Sequence, residues 1–248
     1  MDAIREKLFS LQDESVQRFA TKLLPSIDPE RIIGVRIPLL RATARAIYKS
    51  DKALCYSFFE ELPHAYVEEE LLHMMLIGLE PSAARQIELL DRFLPFADNW
   101  CVTDALSAKI MWREPALCCV AIRRWLATDA VYTRRTALVA LMESFRYNCF
   151  DPCFLEWAAK AAPEDSSEVT DVYYLRMAVA WFFAEALTQQ YELTLPYIEE
   201  GKLPNKTRLL AIRKACESRK VPSDRKEALR LLRNRKYIPF GTIRLFSE

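Results

Sequence analysis

Apolar residues recur three and four positions apart along nearly all of this chain, and few stretches alternate with the period of two that a strand needs. "DAIREKLFSLQDESVQRFATKLL" predicts one first helix over 2–24, ended by Pro25. A second is predicted over 38–50, with Pro38 in its first turn, where a missing N–H does no harm. The same period predicts helices at 52–62, 66–79, 82–95, 99–110, 114–127, 131–146, 152–162, 169–187, 190–199, 205–217 and 222–234. Pro63, Pro81, Pro115, Pro152, Pro163, Pro204 and Pro222 punctuate the joints. In "EPALCCVA" and "DPCFLEWA" an acid precedes proline at a helix start, where the helix dipole favours negative charge.

Short helices in succession raise the question of a repeat. "YTRRTALVALM" at 132–142 aligns without gaps with "YYLRMAVAWFF" at 173–183, so that Tyr132 meets Tyr173, Arg135 meets Arg176 and Ala137 meets Ala178. Each segment follows a helix opened by acid and proline. Two helices in about forty residues is the period of HEAT or armadillo arrays. The predicted fold is therefore all-α: a curved α-solenoid of HEAT-like antiparallel helix pairs over 1–236, with a C-terminal tail at 237–248. A plain helical bundle is the alternative. With only four glycines among 248 residues, the turns and phosphate loops of sheet folds are poorly provided for.

Seven cysteines form no C-x-x-C pair, and with two histidines, His64 and His73, no zinc set assembles. No metal or other cofactor is expected. No signal peptide precedes "MDAIREKLFS" and no apolar run is long enough to span a bilayer, so a reduced, cytoplasmic, monomeric protein with no membrane contact is expected. The net charge of +1 hides an asymmetry. Residues 202–248 hold 14 Lys and Arg against 4 Asp and Glu, and the rest hold 21 against 30. A basic end of +10 on a body of −9 points to a polyanionic partner, although basic outer faces of ordinary helices would look the same.

Within "DNWCVTDAL", Trp100 and Asp104 stand four apart, which places an indole and a carboxylate on one helical face. Alone, each reads as a packing or capping residue. Trp181 in "MAVAWFFAEAL" alone reads as core, and Arg135 alone as a solvated helix residue. The blocks "ERIIGVRIPLLRATARAI", "FLPFADNWCVTD", "YTRRTALVALM", "YYLRMAVAWFFAEAL" and "NKTRLLAIRKACESRKV" nevertheless occur in one order and at suitable spacing. In these the chain, from about Pro25 to Leu232, resembles the AlkD-like DNA alkylation repair proteins, a family of HEAT-like repeat DNA glycosylases.

The resemblance implies excision of cationic N3- or N7-alkylated purines from duplex DNA. It assigns the catalytic aspartate and its tryptophan to Asp104 and Trp100, the second tryptophan to Trp181 in "AVAW", and an arginine to Arg135 in "RTAL", a place that Arg134 could also fill. The chemistry asks for such groups. A cationic base leaves without a general acid, and the positive charge passed to the sugar is stabilised by a carboxylate and by indole faces. An arginine holds backbone phosphate. Arg208, Arg213, Lys214, Arg219 and Lys220, with Arg36 and Arg41 at a helix start, are candidate phosphate contacts. Trp112, Trp125 and Trp157 read as packing, and His64 and His73 as no site.

The resemblance departs at the N-terminus. Active members carry a further helical element there, with a tyrosine near the pocket, whereas here about two dozen residues precede "PSIDPERIIGVRIP" and Phe19 takes the tyrosine's position. A shortened branch of the family is expected. Two functions follow: an N-glycosylase, or a non-catalytic repeat module that binds nucleic acid or another partner on its concave face.

Overall fold

Asp13 breaks the first predicted helix in two. In the computed structural model, which describes residues 2–167 and 171–234, its Oδ1 accepts from the backbone N–H groups of Ser15 at 2.9 Å and Val16 at 3.3 Å. That is an N-cap, and it starts α2 (Glu14–Leu23) afresh after α1 (Asp2–Phe9). The apolar period continues on both sides of the cap, which hid the joint from the sequence. The Asp13 N–H donates to the Gly34 carbonyl at 2.9 Å. Gly34 holds φ +90°, and a Cβ there would stand 2.6 Å from the Gln17 Cβ. Only glycine fits this crossing.

The chain divides into two compact units, Met1–Ala121 and Ile122–Glu248. The first continues with α3 (Ile37–Ser50), α4 (Lys52–Glu60), α5 (Val67–Ile77), α6 (Ala83–Phe93) and the single turn α7 (Trp100–Thr103). Helix α5 is its centre: α3 packs on one flank and α7 on another, with α1, α4 and α6 also against it. Of the eleven residues of α5, only Met75 is not buried.

The predicted helix over 99–110 stops after one turn. Beyond Asp104 both Leu106 and Ala108 are buried. Two residues apart they would point about 200° from each other on a helix, so one helical face cannot bury both, and the segment ends in a 3-10 turn, Met111–Arg113, packed on α6. Tertiary burial overrides local helical preference here.

Helix α8 (Pro115–Leu126) carries the chain across the unit boundary. The second unit then holds α9 (Val131–Arg146), α10 (Cys153–Lys160), α11 (Val172–Gln189), α12 (Tyr191–Glu199), α13 (Asn205–Glu217) and α14 (Ser223–Asn234). Alternate helices stack: α9 on α11 and α11 on α13, with α10 and α12 flanking α11 and α14 flanking α13. The same alternation, α3–α5–α7, runs through the first unit. That is the layering of an α-solenoid, in which each helix pair buries its apolar face only against its neighbours. Every regular element among the described residues is helical, and no described helix is long and apolar enough to cross a membrane. The tail at 237–248 lies outside the described residues.

His64 and His73 belong to the core of the first unit. His64 Nε2 and His73 Nδ1 lie 2.7 Å apart, with His64 stacked on Phe58 and His73 on Phe93. Burial holds His64 down to about 4 and His73 well below its ordinary value, so both rings are neutral. The unfolded chain binds these protons near pH 6.5 and the folded one does not. His64 alone is therefore expected to cost up to about 3 kcal/mol of stability as pH drops from about 6.5 to 4, and His73 steepens the fall. Denaturant titrations across that window should show a shallower fall in His64→Phe, which keeps the stacking and cannot be protonated. An equal slope in both proteins would refute this origin.

Candidate functional site

Three consecutive carboxylates open α5, and all three are buried: Glu68 and Glu70 at 3% exposure and Glu69 at 1%. Successive helix residues project about 100° apart, so each meets a different neighbour. Glu68 accepts from three backbone N–H groups, Ile33 at 2.9 Å, Gly34 at 2.8 Å and Val35 at 3.3 Å, and so holds the extended segment leading into α3. Glu69 caps its own helix through the N–H groups of Ala65 and Tyr66, and accepts from Arg5 Nε at 2.9 Å. Glu70 accepts from Arg31 Nη2 at 2.7 Å and from Asn99 Nδ2 at 3.3 Å. Burial, with the Asp98 carboxylate nearby, pushes Glu70 up to about 8 against the pull of Arg31.

Asn99 leads from this cluster to the residues singled out in the sequence. Its Oδ1 accepts from the Val102 N–H at 3.1 Å and caps α7. Trp100 follows, half-buried, with its indole Nε1–H donating to the Leu23 carbonyl at the end of α2 at 3.3 Å. Asp104 closes the turn as its C-cap, its N–H donating to the Trp100 carbonyl at 3.0 Å. The Thr103 hydroxyl donates to that same carbonyl at 3.0 Å and stands 3.5 Å from Asp104 Oδ1. Asp104 is half-buried. The acid of this stretch that pairs with Arg31 is Asp98. Cys101, beside them, is pushed up to about 11 by burial and by the charges of Asp104 and Glu68, so it stays a thiol and not a nucleophile at neutral pH.

In the second unit Trp181 is 42% exposed, although its neighbours Phe182 and Phe183 are fully buried. With Glu185, Thr188, Lys214 and Glu217 it lines a cleft of about 290 Å³ between α11 and α13. Lys220 Nζ lies 3.4 Å from Glu185 Oε1, and Arg213 Nε pairs with Glu217 Oε1 at 3.1 Å. Arg219 is exposed.

Arg135 and Arg208 are not at the surface. Arg135, 5% exposed, donates from Nη1 to the Tyr174 carbonyl at 2.6 Å, and Arg208, 3% exposed, from Nη1 to the Leu232 carbonyl at 3.1 Å. Arg176, which the repeat aligns with Arg135, is buried too and donates to the Glu164 carbonyl at 2.9 Å. These arginines tie the stacked helices to backbone carbonyls of neighbouring segments. Arg134 is half-buried and donates to the Ala161 carbonyl at 2.7 Å. In the first unit Arg36 is exposed and paired with Asp13 at 2.7 Å, and Arg41 is exposed on α3. Trp112 and Trp125 are buried, and Trp157 packs on Phe154 beneath Arg123.

The family model for DNA alkylation repair enzymes matches residues 4–218. The chain belongs to the DNA alkylation repair enzyme family. Its role therefore lies in DNA repair, and the match takes in Trp100, Asp104, Arg135, Trp181 and the start of the basic C-terminal region. Searches among curated proteins and among solved structures return no match. Among the described residues no group of three or more His, Cys, Asp or Glu is placed to hold a metal ion. The sequence left Glu68, Glu70, Asp98, Asn99 and Arg31 unnoticed as site-forming residues. The available signal was "VEEELLHMMLIGL", three acids placed where the apolar pattern demands burial.

Proposed function

We propose that this repair-family member is an N-glycosylase of the AlkD-like branch that excises cationic alkylated purines, of the 3-methyladenine and 7-methylguanine type, from duplex DNA. The observation that carries the reading is the α7 turn. It presents Trp100 and Asp104 together on one turn, whose start is capped by the buried Asn99. The bond from the sugar C1′ to the base nitrogen breaks, its electron pair neutralises the cationic base, and the base leaves without being protonated. Positive charge then rests on the sugar. A carboxylate stabilises that charge and orients the water that bonds to C1′ and releases its proton to solvent.

Trp181 is proposed for the same reaction on its own observation, an indole left exposed over a cleft while its neighbours Ala180, Phe182 and Phe183 are buried. An indole face favours a cation by about 0.5–2 kcal/mol, which predicts a loss of about 2- to 30-fold in excision rate for Trp181→Ala and a smaller one for Trp181→Phe. Single-turnover release of free base from a duplex carrying one 7-methylguanine measures both. Unchanged rates in a folded Trp181→Ala would remove this residue from the reaction. Phosphate contact is proposed for the exposed cations Arg36, Arg41, Arg213, Arg219 and Lys220, with Lys214 at the cleft.

A further inference from the structure

A four-residue helix does not hold its own shape, because a single hydrogen-bonded turn costs more chain entropy than it recovers. The conformation of α7 must therefore come from outside the turn. Val102 and Thr103 are fully buried, and Trp100 is tethered to Leu23. Asn99 is where the start of the turn joins the rest of the unit. It is 1% exposed, and its amide faces both ways. Oδ1 accepts from Val102 inside the turn, while Nδ2 donates to Glu70 Oε2 at 3.3 Å and to Asp98 Oδ1 at 3.0 Å. Arg31 closes the ring by pairing with both carboxylates.

We propose that Asn99 is a positioning residue of the glycosylase reaction, joining α7 to the buried Glu70 carboxylate and so fixing where Asp104 and Trp100 stand. This rests on the glycosylase reading above. The choice of residue type supports it. Serine, aspartate or asparagine caps a helix equally well. Only asparagine also brings an NH2 group to Glu70 and Asp98, where aspartate would set a further carboxyl group against theirs. Placement within about 1 Å governs rates by as much as about 100-fold, so a link five residues from Asp104 acts on the reaction without touching the substrate.

The test uses the full chain and a duplex carrying one 7-methylguanine. Asn99→Ser keeps a capping oxygen and loses the donor to Glu70 and Asp98. Its single-turnover excision rate is expected to fall about 10- to 100-fold, with DNA affinity within about 3-fold of wild type and faster hydrogen exchange at the Val102 and Asp104 amides. Glu70→Gln, whose single oxygen serves Arg31 or Asn99 but not both, should give the same pattern. Either of two results overturns the proposal: Asn99→Ser equal to wild type in rate and exchange, or faster exchange with an unchanged rate. A wild-type protein that releases no base instead sinks the glycosylase reading itself, and the two failures are told apart by that control.

Discussion

Replacing Asp104 by asparagine is expected to slow base release by about 100- to 1,000-fold, the range seen when one preorganised electrostatic partner of a transition state is removed. Asparagine has the same shape, and the C-cap contact at this position is made by the backbone N–H, so α7 should form as before. What changes is the charge offered to a sugar that becomes cationic as the base departs. Binding of lesion-bearing duplex should survive, because phosphate contacts supply most of that affinity. Single-turnover quantification of free base, beside a binding titration and a melting curve, separates these effects. Asp98→Asn is the internal control. Its carboxylate pairs with Arg31 and accepts from Asn99, so the substitution should weaken the fold around α7 more than the chemistry of an intact molecule. An Asp104→Asn protein within about 3-fold of the wild-type rate would remove Asp104 from the reaction.

The largest expected effect on stability belongs to Glu68. Its carboxylate is the acceptor for the backbone N–H groups of Ile33, Gly34 and Val35, all in a buried segment. Alanine would strand three buried donors. At about 1–3 kcal/mol for each unsatisfied group, less whatever water entering the gap restores, a loss of about 3–5 kcal/mol is expected. Glu68→Gln should fall between, since one oxygen remains and the new NH2 faces donors. Urea or guanidinium unfolding monitored by circular dichroism reads the difference. A loss under about 1 kcal/mol would mean that the segment finds other acceptors. The consequence reaches the site, because the same connection carries Arg31, the partner of Glu70 and Asp98.

The helical content was legible because burial in a stacked helix array leaves a period of three to four in the sequence. Helices at 131–146 and 205–217 fall where the pattern put them. Two departures have a common cause. At Asp13 a capping side chain started a new helix within an unbroken apolar period, and after Asp104 burial of both Leu106 and Ala108 replaced the helix by an irregular run. Both depend on partners distant in sequence, Gly34 in the one case and α6 in the other.

The candidate site divides in the same way. Trp100, Asp104 and Trp181 are proposed from the family's motifs. The Arg31–Glu70–Asn99–Asp98 ring was not legible in the sequence, because it joins three separate segments and no local spacing encodes it. Arg135 shows the opposite limit. Its repeat partner Arg176 was visible in the alignment, yet that both are buried and serve backbone carbonyls follows only from three dimensions.

The most direct measurement is product analysis on the wild-type chain. A duplex carrying a single 7-methylguanine or 3-methyladenine is incubated at low salt, and both free base and abasic sites are counted. Glycosylase action predicts methylated base and abasic site in equal amounts, with a rate that collapses in Asp104→Asn. Duplex that is bound but chemically intact, with no free base above the spontaneous level, would contradict it and leave a helical-repeat module that holds DNA without cutting the glycosidic bond.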